Sequence, residues 1–240
     1  MKADIQQQKL IDINYKFKFE DGAVKTFAIQ LDDQTLNLVR ETDSQNKPDW
    51  ALMKSFRCEH CSLDREAHVY CPLALNIYDL LENFKDVVSY DKVDLRIETE
   101  RRTYSNNVPV QNALSSLIGI YMVSNGCPVF EKLKPMVRYH LPFASPNETA
   151  YRMISMYLMA QLFRQDQGKD TDWKLEKLPE IFEAISKANR NVSRKLKALV
   201  QKDALLNAVI ILSSRVDFMA LCFDEVILKE IERDFKPYTD

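Results

Sequence analysis

A chain of 240 residues, 46% hydrophobic and 28% charged, has the balance of a soluble globular protein and is ample for a buried core. Its formal net charge of -2 supplies no global field for binding nucleic acid or an anionic membrane. Only four glycines are present, with no G-x-G-x-x-G and no G-x-x-x-x-G-K-S/T, which argues against dinucleotide-binding and P-loop enzymes.

The first fourteen residues lack an uninterrupted apolar core and do not read as a signal peptide. Residues 11–19 then alternate strictly: Ile11, Ile13, Tyr15, Phe17 and Phe19 share one face, and Asp12, Asn14, Lys16 and Lys18 the other. That period of two predicts a half-buried strand. Glu20-Asp21-Gly22-Ala23 supplies a turn, and residues 24–31 return as the second strand of a hairpin. Leu36 and Leu38 suggest a short third strand, and residues 42–48 a polar loop.

Residues 72–84 place Leu73, Ile77, Leu80, Leu81 and Phe84 at helical spacing. Residues 92–104 read as a strand with one solvated face. Pro109 opens a helix that Gly126 stops. Residues 131–139 predict a short helix. Ser145-Pro146-Asn147-Glu148 is a complete capping box, starting a helix that runs to about residue 165. Because that helix is apolar on nearly every face, it is expected at the centre of the helical core. Residues 175–200 are amphipathic, and Asp203 is expected to cap a last helix reaching about residue 234. Strands first and helices later imply an α+β fold. We expect a single domain over 1–240, with a β-rich part (9–108) and a helical part (109–240) packed on it. The longest late apolar run, residues 208–212, is far short of a membrane span. The expected setting is the cytoplasm, where thiols stay reduced and clustered cysteines point to metal or redox chemistry.

Residues 56–72, FRCEHCSLDREAHVYCP, hold three of the five cysteines and two of the three histidines. Cys58 and Cys61 form a C-x2-C turn, in which the backbone folds so that both thiolates face one ion. Cys71 follows after nine residues. Tetrahedral zinc needs two further ligands. Cys71 and Cys127 share a context: each precedes a proline and then a helix-compatible run. Both are therefore expected at or just before helix N-termini, whose amides favour thiolate charge. His68 is the rival fourth ligand, in a compact C-x2-C-x6-H-x2-C; His60, inside the turn, is the lesser candidate. A structural zinc site with four cysteine ligands is the first expectation. A [4Fe-4S] cluster on the same four cysteines, a C-x-x-C thiol oxidoreductase and a set of reduced thiols without metal are the alternatives.

Elsewhere, His140 sits in a proline-containing loop as a candidate base, with no nucleophile nearby in sequence; a histidine satisfying a loop carbonyl or helix end is the favoured reading. Arg152, in the apolar helix, is expected to pair with Glu148 one turn earlier. Lys187, Arg190, Arg194, Lys195, Lys197 and Lys202 make one helix locally basic, read as a solvated face. No reaction, substrate or oligomeric state is assigned, and a protein partner is left open.

The combination of C-x-x-C, H-V-Y-C-P-L-A-L-N, S-N-G-C-P, L-K-P-M-V-R-Y-H-L-P-F-A-S and E-T-A-Y-R resembles an uncharacterised bacterial family, a domain of unknown function. The similar segments lie between about Cys58 and Phe163, with weaker likeness in the N-terminal hairpin and the last two helices. The resemblance implies a bacterial source and a full-chain module, and lends no activity. Its recurring cysteine positions are those of Cys58, Cys61, Cys71 and Cys127, which favours Cys127 over His68 as the fourth ligand.

Overall fold

The computed structural model describes residues 9–39, 47–222 and 226–239, with backbone only over 218–222 and 226–227. The strands are β1 (Leu10–Phe19), β2 (Val24–Asp32), β3 (Lys92–Thr99) and β4 (Thr103–Pro109). The helices are α1 (Met53–Phe56), α2 (Pro72–Phe84), α3 (Val110–Val123), α4 (Lys134–Arg138), α5 (Pro146–Asp166), α6 (Leu178–Leu196), α7 (Ala204–Cys222), α8 (Val226–Glu232) and α9 (Lys236–Thr239). The fold is α+β.

The strands form one antiparallel sheet in the order β2-β1-β3-β4. The β1–β2 hairpin turns at Gly22, whose φ of +85° suits glycine. Register follows the alternation. Tyr15 stands between Phe27 and Ile97, and Phe17 opposite Leu95, so Ile13, Tyr15, Phe17, Ile29, Leu31, Leu95 and Ile97 all fall on the buried face. The partners on the other face are polar: Lys16 opposite Arg96, Asn14 opposite Glu98.

Two expectations about the strands are revised. Residues 92–104 are not one strand but the β3–β4 hairpin, in which Thr99 N–H donates to Arg102 C=O at 2.9 Å. Leu38 makes an isolated bridge to Leu31, and Leu36 has a positive φ of 57°, so among the described residues no third strand joins the sheet there. The expected loop at 42–48 lies mostly outside the described residues.

Phe84 of α2 packs on Phe17 and Phe27, with ring centroids 5.2 and 5.5 Å away, which seats α2 on the sheet. Asn76 of α2 donates to the C=O groups of Tyr121 and Ser124, tying α2 to the end of α3. The central helix is α3, buried on nearly every side between the sheet and α7. It takes the place expected of α5. Helix α5 has its capping box, yet Tyr151, Met159, Leu162 and Phe163 are all about half exposed. The expected last helix is described as α7 up to Cys222 and as α8 from Val226, with residues 223–225 outside the described residues. Asp203 precedes α7, where its C=O accepts the Asn207 N–H at 2.8 Å and its carboxylate the Asn207 side-chain amide at 3.0 Å; the carboxylate also accepts from the backbone and hydroxyl of Ser89, clamping α7 to the loop before β3.

Candidate functional site

The segment 53–70 is a closed loop. Leu52 bridges Tyr70, Met53 N–H donates to Val69 C=O at 2.8 Å, and Cys71 N–H to Ala51 C=O at 2.9 Å. The chain thus leaves and re-enters at one point. Phe56, fully buried against Trp50, pins the loop to the core. Cys61 N–H donates to Cys58 C=O at 3.1 Å, forming the turn, and the Arg57 guanidinium closes over it on Cys61 C=O at 2.7 Å.

Cys71 is the N-cap of α2, with Pro72 in the first turn; its thiol makes no capping hydrogen bond, but the amides of Ala74 and Leu73 favour its charged form. Cys127 follows α3 past Gly126, whose φ is +78°. Asn125 Oδ1 holds the Cys127 N–H at 2.8 Å. The Phe130 and Glu131 N–H groups donate to the Cys127 C=O at 3.1 and 3.0 Å, and the Val129 and Phe130 amides beside the thiol favour its charged form, in the turn leading to the 3-10 segment Phe130–Leu133. That is a turn rather than the expected α-helix N-terminus. Cys58 receives Asn191 Nδ2 at 3.3 Å. Arg194 donates to Asn191 Oδ1 at 2.7 Å, which fixes the amide so that its NH2 faces Phe56 C=O and the Cys58 sulfur.

The four thiols are free and lie within electrostatic range of one another. Burial pushes Cys58 up to about 11, reinforced by Cys127 and Cys61 and opposed by the Asn191 bond and the Arg194 charge. Burial pushes Cys71 up to about 12, against the Ala74 amide, with Cys127 and Cys58 adding to the rise. Cys127 is raised by burial first, and Cys61 adds to it. Two segments more than fifty residues apart in sequence thus converge. Among the described residues, however, no group of three or more His, Cys, Asp or Glu side chains is disposed, as it stands, to hold a metal ion. These two observations differ because electrostatic coupling needs neighbourhood, whereas ligation needs the sulfurs turned onto one point.

His68 turns its Nδ1 onto the Asp64 carbonyl of its own turn, at 3.2 Å. His60 is exposed. Beside Cys58 a basic cleft opens, lined by His60, Lys187, Arg190 and Arg194. Most of the basic stretch is solvated as expected, with Lys187 on Glu183 at 2.7 Å. Arg194 and Asn191 are the participants that sequence reasoning missed. The available signal was a pair of asparagines, Asn189 and Asn191, both buried, on the core side of an otherwise amphipathic helix.

His140 has a second, separate environment. Its Nε2 lies 2.5 Å from the Tyr15 hydroxyl and 3.3 Å from Ser116 Oγ, and the same two hydroxyls are 2.9 Å apart. Burial, then the nearby Arg152 charge, lowers the imidazole to about 4. The partners of His140 are therefore side chains of β1 and α3, not the loop carbonyl or helix end expected. Arg152 does not form the expected ion pair with Glu148. It donates to the carbonyls of Met136 and Tyr139, at 3.1 and 2.5 Å, while Glu148 closes the capping box on Ser145 N–H at 2.8 Å.

A family profile described as a domain of unknown function (DUF6901) matches residues 13–236, and the chain belongs to that family. No curated protein and no solved structure matches the chain. No helix among the described residues is long and apolar enough to cross a membrane.

Proposed function

We propose that this member of the DUF6901 family holds one zinc ion on Cys58, Cys61, Cys71 and Cys127. The ion would act as a structural staple between the 53–70 loop and the end of α3, in a cytoplasmic protein, of bacterial source by its resemblance, that works by binding or assembly. The observation that carries this reading is the set of four thiols within electrostatic range of one another, with Asn191 Nδ2 on the Cys58 sulfur at 3.3 Å and the amides of Leu73 and Ala74 beside Cys71 and of Val129 beside Cys127 favouring negative charge there. Protonated thiols are weak acceptors, whereas a four-thiolate zinc centre carries a net charge of about -2 and is stabilised by N–H groups and by a cation such as Arg194. Outer contacts of this kind orient ligands and tune the centre. Cys127 rather than His68 serves as fourth ligand in this reading, because its charge registers at both Cys58 and Cys71.

A C-x-x-C oxidoreductase fits less well. A reactive thiol needs a lowered pKa, and Cys58 is pushed up to about 11 by burial. The same donor set suits an iron–sulfur cluster, so metal identity is read directly. Metal content and a visible spectrum on anaerobically purified, tag-free protein are expected to give one zinc per chain and no colour. Chelation is expected to lower the melting temperature by more than about 10 °C. Iron with sulfide and a brown colour would transfer the four cysteines to the cluster reading. Protein that arrives metal-free and takes up neither ion would end both.

A further inference from the structure

We propose that a second site, independent of the cysteines, binds a small organic acid in the cavity between α3, α4, α5, α6 and α7. The carboxylate would meet Arg215 and Arg152, and the apolar body would lie among Ile120, Phe130, Met153 and Leu212. The cavity measures about 320 Å³. At ~30 Å³ per water-sized volume it has room for about ten non-hydrogen atoms. Its walls are mostly aliphatic and aromatic, with a few convergent polar groups, which is the usual make-up of a small-molecule pocket.

The charge of the lining is one-sided. Arg152 and Arg215 both face the cavity, and no Asp or Glu lines it. Arg152 is held by two main-chain carbonyls. Arg215 is partly buried, and among the described residues it has neither a carboxylate nor a hydrogen-bond partner. A guanidinium does not shed its proton, so its burial calls for an anion. His140, lining the same space, is kept neutral and adds a hydrogen-bonding group without competing for the charge. Asn189 is 2% exposed, lines the cavity, and has a side-chain oxygen with no partner, an acceptor open to a donor on the body of the acid and not to its carboxylate. An inorganic anion would satisfy the arginines but leave the apolar walls uncovered, so the walls select an acid with a hydrocarbon body.

The probes are octanoate, octanol and octylamine, which share one chain and differ in the head group. Calorimetric titration of the full chain is expected to show one octanoate per chain. Octanol should bind at least about tenfold more weakly, since hydrogen bonds to a charged group are worth that much, and octylamine should not bind. Arg215→Met keeps the stem and removes the charge, and is expected to erase the preference for octanoate over octanol. In a second variant, Gly119→Leu, the new side chain starts from a position whose nearest neighbour is Leu212 at 3.8 Å and fills the cavity. Its expected effect is loss of octanoate binding with Arg215 intact. The head-group series on the wild-type chain decides the matter even where a variant does not fold. Equal binding of acid and alcohol, no octanoate binding at millimolar concentration, or unchanged binding in Gly119→Leu would each overturn the proposal.

Discussion

The hydroxyl of Tyr15 has one proton to give and two neighbours within reach. Burial holds that phenol well above its usual pKa, so it stays protonated and donates to His140 Nε2, while Ser116 donates to the phenol oxygen. His140 must then be neutral, in keeping with its lowered value of about 4. The sign of the linkage follows from that depression. Between pH 6.5 and about 4 the unfolded chain binds a proton at His140 and the folded chain does not, so this contribution to stability is present above pH 6.5 and is lost as pH falls through 4. His140→Gln removes the titration. Urea midpoints measured across that window are expected to fall more steeply for the wild type than for the variant. Parallel curves would show that His140 titrates as it does in the unfolded chain.

At the scale of elements, sequence pattern worked best where a single face is buried. The alternation in β1 and β2 is unambiguous because a one-residue slip would turn Tyr15 and Phe17 to water. The β3–β4 turn was missed because Glu100-Arg101-Arg102 contains neither Gly nor Pro. Helix α5 shows a different limit. An apolar sequence on every face states that a helix can be buried, not which neighbours cover it, and the central place went to α3, which connects directly to the sheet. With α5 half exposed, its start depends more on local chemistry. Ser145 Oγ accepts the Glu148 N–H at 3.2 Å, and Glu148 returns a carboxylate to Ser145 N–H. Ser145→Ala is expected to destabilise the protein by about 1 kcal/mol, or ~2–4 °C in Tm for a chain of this size. An unchanged Tm would mean that tertiary contacts alone hold the first turn of α5.

Across the whole molecule, the C-x2-C turn was legible in sequence, but the approach of Cys127 was not, because it depends on α2 and α3 lying side by side through Asn76. Asn191 and Arg194 arrive from α6, still further along the chain. A zinc ion bound there, as proposed, would join three distant segments, and its affinity would carry a proton signature. Four thiols that are protonated in the metal-free chain release four protons on binding, so the logarithm of the apparent affinity should rise with pH at a slope near 4. Ordinary cysteines would flatten that slope close to their usual pKa of about 8.5. Here Cys58 is raised to about 11 and Cys71 to about 12, with Cys127 raised as well, so the part of the slope due to these three thiols, about 3, should persist through pH 9. The same shifts act on the metal-free protein in the opposite sense. Raised thiols stabilise the fold fully below pH 9, and that stabilisation is lost as pH climbs through 11 to 12, so the gap in stability between zinc-loaded and metal-free protein widens with pH. Competition with a chelator of known affinity between pH 6 and 9 reads the slope directly. A slope of 2 or less would show that only the C-x2-C pair ligates, and would separate Cys71 and Cys127 from the site.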